Sequence, residues 1–270
     1  MIVLTYHTIN DVRHFEEQIR YLVTHRYTVL SVDDFQSRYA QKKLKSKDIL
    51  ITFDDGDYSV LDNALPVLKK YSCPAVMFVI TGLIGTQLPF WWNEIPYYCA
   101  EKNAVAHAKL MSNDDRVKFL ERLRSASNLP PLHYRQLTWE DLRVMEQGGV
   151  SIANHSHTHP MFDKLSGLEI KNELATSSTS LKRNGFQFHN VFAYPNGNYT
   201  PAVEEIMSSL GIKLAFLFDH KINVLLDKPY RISRLSVNDT TPLWKFKLIL
   251  RGWHSRIAPI NKKLHKFIHK

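Results

Sequence analysis

Short apolar runs alternate along the chain with longer segments in which apolar residues recur at helical spacing. The runs at 2–6, 28–30, 49–53, 75–80, 150–153, 191–194, 214–218 and 231–233 read as buried strands. The segments at 12–25, 32–40, 59–71, 139–147, 168–183 and 201–210 read as the helices between them. Thr138, with Asp141 three residues on, is placed to cap the helix at 139–147, and Gly148-Gly149 to stop it. Strand and helix repeated in this way predict an α/β fold of parallel strands with helices outside, and the length suits a closed barrel. The segment at about 83–137 departs from the rhythm: it contains Trp91-Trp92, a helical stretch around residues 114–125 and the pair Pro130-Pro131. It reads as an insertion, and because it follows the C-terminal end of a strand it is placed to wall a cleft on the barrel's active face.

With 44% hydrophobic residues in 270 the chain can bury a full core, as one domain of barrel size or equally as two smaller ones. Cys73 and Cys99 lie apart without CxxC spacing, so neither a disulfide framework nor a cysteine zinc site is indicated. The N-terminal residues lack the basic and apolar regions of a signal peptide, and no stretch approaches a membrane span, so a cytoplasmic location is expected. The net charge of +9 is unevenly spread. Residues 243–270 carry eight basic residues and no acid, leaving 27 basic against 26 acidic residues before them. From Phe246 the apolar residues recur at Leu250, Trp253, Ile257, Ile260, Leu264 and Phe267, the stripe of a basic amphipathic helix that Gly252 and Pro259 interrupt. Such a tail either packs on the barrel or lies on an anionic membrane leaflet, which would make the protein peripheral to the membrane's inner face. The chain thus divides into a barrel at 1–240 and a tail at 241–270. No nucleic-acid partner is expected, since the tail's charge comes without a nucleic-acid-binding fold.

Two constellations carry chemistry. Ile51-Thr52-Phe53-Asp54-Asp55-Gly56 ends an apolar strand in adjacent carboxylates, of which one can ligate a cation while the other accepts a proton. Ser151-Ile152-Ala153-Asn154-His155-Ser156-His157-Thr158-His159-Pro160 again follows a strand with a polar loop holding three histidines. Imidazole together with carboxylate suits zinc or a related divalent ion, and three protein ligands leave positions open for water and substrate.

These motifs resemble the polysaccharide deacetylases, carbohydrate esterase family four, in Thr52-Phe53-Asp54-Asp55-Gly56 and His155-Ser156-x-x-His159-Pro160. The resemblance implies a distorted (β/α)7 TIM-like barrel that hydrolyses an N-acetyl group from an amino sugar in a polysaccharide or a lipid-linked glycan. It implies Asp54 as general base and Asp55, His155 and His159 as ligands of a divalent metal, Zn2+ first, with Co2+ or Ni2+ as alternatives. His157 has no ligand counterpart. Phe192-Ala193-Tyr194-Pro195-Asn196-Gly197 is similar to a branch of the family that lacks the arginine orienting the catalytic aspartate; Arg231 or Arg234 is the candidate substitute, a surface salt bridge being the alternative for either. The backbone N–H of Tyr194 is the candidate oxyanion donor, with Pro195 and Asn196 beside it. Leu4-Thr5-Tyr6-His7 is similar to members in which the catalytic-histidine strand comes first, which makes His7 the candidate acid; a buried structural histidine is the alternative. Trp91, Trp92 and Tyr194 are candidates for stacking on sugar faces. Two other functions fit the same residues less completely: a catalytically silent carbohydrate-binding barrel, and another metal-dependent amidohydrolase.

Overall fold

The computed structural model describes residues 1–187, 189–224 and 227–252. In chain order these form β1 (Ile2–Tyr6), α1 (Val12–Thr24), β2 (Thr28–Val29), α2 (Val32–Ala40), β3 (Asp48–Phe53), α3 (Leu65–Lys70) and β4 (Ala75–Val79). Next come α4 (Trp91–Tyr98), α5 (Ala104–Leu110), α6 (Asn113–Ala126), α7 (Trp139–Gln147), β5 (Val150–Asn154) and α8 (Gly167–Arg183). The described chain finishes with β6 (Val191–Ala193), α9 (Ala202–Ser209), β7 (Leu214–Phe216), β8 (Leu235–Ser236) and α10 (Leu243–Leu250). The expected capping box on α7 is present: Thr138 accepts from the Asp141 N–H while Asp141 accepts from the Thr138 N–H.

All strand pairings are parallel, in the order β7-β6-β5-β4-β3-β1-β8, with β2 beside β3. The two ends of this order are brought together by one short segment. Ile232 bridges Phe216 on β7, and a few residues later Leu235 and Ser236 pair with Leu4 and Thr5 on β1. Sequence pattern places a strand at 231–233; the structure divides that role between a bridge at Ile232 and the strand β8, because the chain crosses from one neighbour to the other. Gln18 fastens the same seam, accepting from the Tyr6 hydroxyl and donating to the carbonyls of Asn238 and Thr241.

Alternation along the strands separates two cores. Leu4 and Tyr6 of β1 and Ile49, Ile51 and Phe53 of β3 pack with α1, α3 and α7 in the strand-to-helix layer. Val3, Leu50, Val76, Phe78, Val191 and Phe216 form the barrel interior. The interior series on β1, β3 and β5, continued past the strand ends, falls on His7, Asp54 and His155.

The segment at 59–71 is helical throughout but begins as a π-helical turn, Val60–Ala64, in which the Leu65 N–H reaches back to the Val60 carbonyl. Pro66, which lacks an N–H, follows at the start of α3. Helices α4 to α6 lie between β4 and α7, within the span read as an insertion. They share a small core of Trp91, Ile95, Ala104, Ala108 and Leu120 that also includes Met161 of the second motif's loop. Of the tail, α10 packs Phe246, Ile249 and Leu250 against the barrel with Tyr21 of α1, while Trp244 stays 65% exposed. The remainder of the tail's apolar stripe, from Trp253 on, lies outside the described residues. No helix among the described residues is long and apolar enough to cross a membrane.

Candidate metal centre

At the C-terminal ends of β1, β3, β5 and β6 the polar motifs meet. Asp54 and His155 each extend a strand ladder by one rung: the Asp54 N–H donates to Tyr6 O at 3.0 Å and the His155 N–H to Val79 O at 3.0 Å. Beyond these rungs the chain turns sharply, and Asp55, Ser156 and His159 all adopt positive φ, at 73°, 71° and 56°. For residues with a Cβ this conformation costs on the order of 1 kcal/mol each. Local hydrogen bonds offset it: Asn154 Oδ1 accepts from the Ser156 N–H at 2.7 Å, and Ser156 Oγ accepts from the His159 N–H at 3.0 Å. Strand alternation would send Asp55 outward from Asp54; the left-handed turn brings its carboxylate back to the histidines.

Asp55 Oδ1 lies 3.3 Å from His155 Nε2 and 3.4 Å from His159 Nε2, and one ligand atom from each residue lies within 4.8 Å of the others. A tetrahedral ion with arms of about 2.1 Å separates its ligands by roughly 3.4 Å, so this donor set fits a divalent cation such as zinc. The His155 Nδ1–H donates to the Ala193 carbonyl at 2.8 Å, which turns Nε2 toward Asp55. Burial pushes the His159 imidazole down to about 3, so it stays neutral as a ligand must. Burial works against the charged form of Asp55, yet the neighbouring histidines hold it well below the usual carboxylate range.

Asp54 faces the other way. Arg234 donates to both its carboxylate oxygens, at 2.7 and 2.6 Å, and also to Thr52 Oγ1 and the Leu217 carbonyl. Both residues are buried, Arg234 at 0% exposure. Burial opposes the ionised form of Asp54, but the guanidinium and His155 outweigh it and lower its pKa. The two candidate arginines thus have different surroundings: Arg231 pairs with Glu204 and lies over Tyr199, away from Asp54.

His7 lines the same cleft and packs edge-on to Phe218 at 5.4 Å between ring centroids. Trp91 and Trp92 stand on the opposite wall, with the Trp92 ring 4.6 Å from that of His159. Trp91 is mostly buried over the Arg116 guanidinium, at 4.8 Å, so Trp92 presents the more open face. Asn196 lines the cleft, while Pro195 is buried beneath it. Gly197 (φ 75°) is required here because a Cβ would stand 2.7 Å from the Phe218 nitrogen. His157 turns aside to Thr81 Oγ1 at 3.0 Å.

Tyr194 does not take the place the sequence reading gives it. Its N–H is committed to the Phe216 carbonyl at 3.1 Å, and its ring is buried with Phe162, Phe192 and Met207, the hydroxyl donating to Tyr230 O. It is therefore neither a free oxyanion donor nor a cleft wall in this structure. Alternation carries the signal: Phe192 and Tyr194 belong to the outer face of β6, Val191 and Ala193 to the inner. The same rule points to Phe218, two residues beyond Phe216 on the interior series of β7, which the motif reading does not single out. Lys109 of α5 also lines the cleft, and no motif marks it.

Comparison with known proteins agrees with this arrangement. The chain is 25% identical over 240 residues, 88% of its length and 70% of the relative's, to the poly-beta-1,6-N-acetyl-D-glucosamine N-deacetylase of Staphylococcus aureus strain MRSA252. Its fold matches that of the Streptococcus pyogenes deacetylase PplD in complex with acetate, at a TM-score of 0.70 and 20% identity over 93% of this chain and 97% of that one. It also matches IcaB from Ammonifex degensii, at a TM-score of 0.67 and 24% identity over 93% and 95% of the two chains. The polysaccharide deacetylase family model covers residues 41–215, more than half of the sequence and both acidic and histidine motifs, and the chain therefore belongs to the polysaccharide deacetylase family.

Proposed function

We propose that the protein removes the acetyl group from an N-acetylated amino sugar in a glycan, with Asp55, His155 and His159 holding a divalent metal. The observation that carries this reading is the convergence of those three ligands beside a separately held carboxylate, Asp54, in one cleft. A divalent ion bound there would polarise the acetamide carbonyl and make water a better nucleophile near neutral pH. Asp54 accepts the proton of the attacking water; Arg234 keeps it ionised and fixes its orientation through two hydrogen bonds. His7, level with Asp54 on the neighbouring strand, protonates the departing amine. Trp92 supplies an apolar face for the sugar ring. The Staphylococcus aureus relative supports an N-acetylglucosamine polymer as the substrate class. Acetate release from N-acetylglucosamine oligosaccharides, abolished by chelation and restored by zinc, cobalt or nickel, is the expected result; release unaffected by exhaustive chelation would remove the metal from the mechanism.

In the same reading the basic tail holds this activity at an anionic membrane surface, where a lipid-linked sugar would also be accessible. The support is the concentration of positive charge after residue 242 and the exposure of Trp244 on α10, an aromatic residue suited to a membrane interface. Full-length protein is expected to co-sediment with anionic vesicles and to lose much of that binding when Lys262, Lys263 and Lys266 are changed to alanine.

A further inference from the structure

One charged group in the cleft has no part in this chemistry. Lys109, near the end of α5, lines the cleft on the wall opposite the strand ends, and its Nζ donates to Asn196 Oδ1 at 2.7 Å. None of the ion pairs among the described residues includes it. Its partner is a neutral amide with a fixed orientation: Asn196 is in the left-handed region (φ 54°), and its own Nδ2 donates to Asn198 Oδ1 at 2.6 Å. An ammonium has three N–H donors, and the amide takes one. Two remain on a side chain held at the rim of a cleft of about 270 Å³.

The charges around it favour an anion. Asp54 is cancelled by Arg234, and a divalent ion would more than offset Asp55, leaving Lys109 as additional positive charge at the cleft's open rim. We infer that Lys109, positioned by Asn196, is the subsite for an anionic substituent carried by the substrate next to the N-acetylated sugar, either a phosphodiester or a uronate carboxylate. This rests on the reading of the cleft as the glycan site and adds its charge selectivity.

The test compares three saccharides with the metal-loaded full-length enzyme: a neutral N-acetylglucosamine oligosaccharide, one carrying a glycosyl phosphodiester, and one with a neighbouring uronic acid. A charge-assisted hydrogen bond predicts roughly a tenfold or greater advantage in kcat/KM for one or both anionic substrates, expressed in KM and diminished by salt. Which of the two is preferred identifies the source of the anion. Lys109→Gln keeps a hydrogen bond to Asn196 but removes the charge, and should reduce that advantage to about one; Lys109→Arg should retain most of it. Equal use of all three substrates by the wild type, or an advantage that survives in Lys109→Gln, would overturn the inference and leave Lys109 as a staple between α5 and the third motif. Tryptophan-fluorescence titration with the same saccharides measures the affinity ratio without turnover. If no saccharide released acetate, the deacetylase reading would fail while the binding ratio still decided the role of Lys109.

Discussion

The two walls of the cleft are built on different principles. On the barrel wall most groups of the site have a fixed partner, although His159 Nδ1 is buried without one: Asp54 lies on Arg234, His155 on the Ala193 carbonyl, and the loop of the second motif is tied down by Glu173, which accepts from the N–H groups of His157 and Thr158. The wall formed by α4 to α6 is mainly aromatic, and it contains donors without a protein acceptor, among them Trp91 Nε1 and Arg116 Nη1. Within it the Arg124 guanidinium of α6 holds Glu94 of α4 at 2.6 and 2.8 Å, and the Tyr134 hydroxyl ties the segment to Asp57 of the first motif at 2.5 Å. Under the proposed function, rigid placement of reacting groups would belong to the barrel and recognition of what they react with to α4 to α6. Substitutions should therefore separate: those on the barrel wall should act on kcat and stability, those on the helical wall on KM.

The largest effect is expected from Asp54→Asn, which removes the proposed base while leaving all three proposed metal ligands in place. It should lower kcat by about 10²–10⁴-fold, with metal content by elemental analysis unchanged. Next comes Arg234→Met, which leaves a buried carboxylate without its counter-ion; denaturant unfolding should show a loss of about 3–5 kcal/mol. A stable and active Arg234→Met protein would show that the barrel wall does not depend on this pair. Arg124→Ala tests the other wall, leaving Glu94 buried and unpaired at about 1–3 kcal/mol. KM should rise while kcat holds, and a fall in kcat instead would mean that the helices also position the reacting groups. The smallest expected effect is that of Trp92→Ala, roughly fivefold to tenfold in KM for a stacking contact of about 1 kcal/mol.

The sequence made much of the barrel wall legible, because strand ends carrying Asp54-Asp55 and His155 to His159 announce themselves by an abrupt change from apolar to polar residues. The helical wall was less readable. Helix α4 is an eight-residue aromatic segment with Pro96 inside it, and α5 has seven residues; neither is long enough to show a period, and both are held by packing against α6 and Met161. Arg234 could be proposed but not distinguished from Arg231, since its bond to Asp54 spans 180 residues and depends on where the chain crosses from β7 to β1. Tyr194 was misplaced for a different reason. A motif gives a residue's identity, but the parity of its strand position decides which way it faces, and here that parity points Tyr194 into the helix layer.

The crossing segment also bears on when the enzyme becomes one. His7 precedes every other residue of the site in the chain, whereas the guanidinium that clamps Asp54 follows at position 234 and the carboxylate that fastens the backbone beyond His7, at Asn10 and Asp11, follows at Asp239. Between His159 and Arg234 a growing chain contains all three proposed metal ligands and both proposed proton-transfer groups and still lacks a finished site. Hydrolytic capacity then appears in a single late step for each molecule, and a message truncated before that point yields a protein with all the family motifs and an unclamped base.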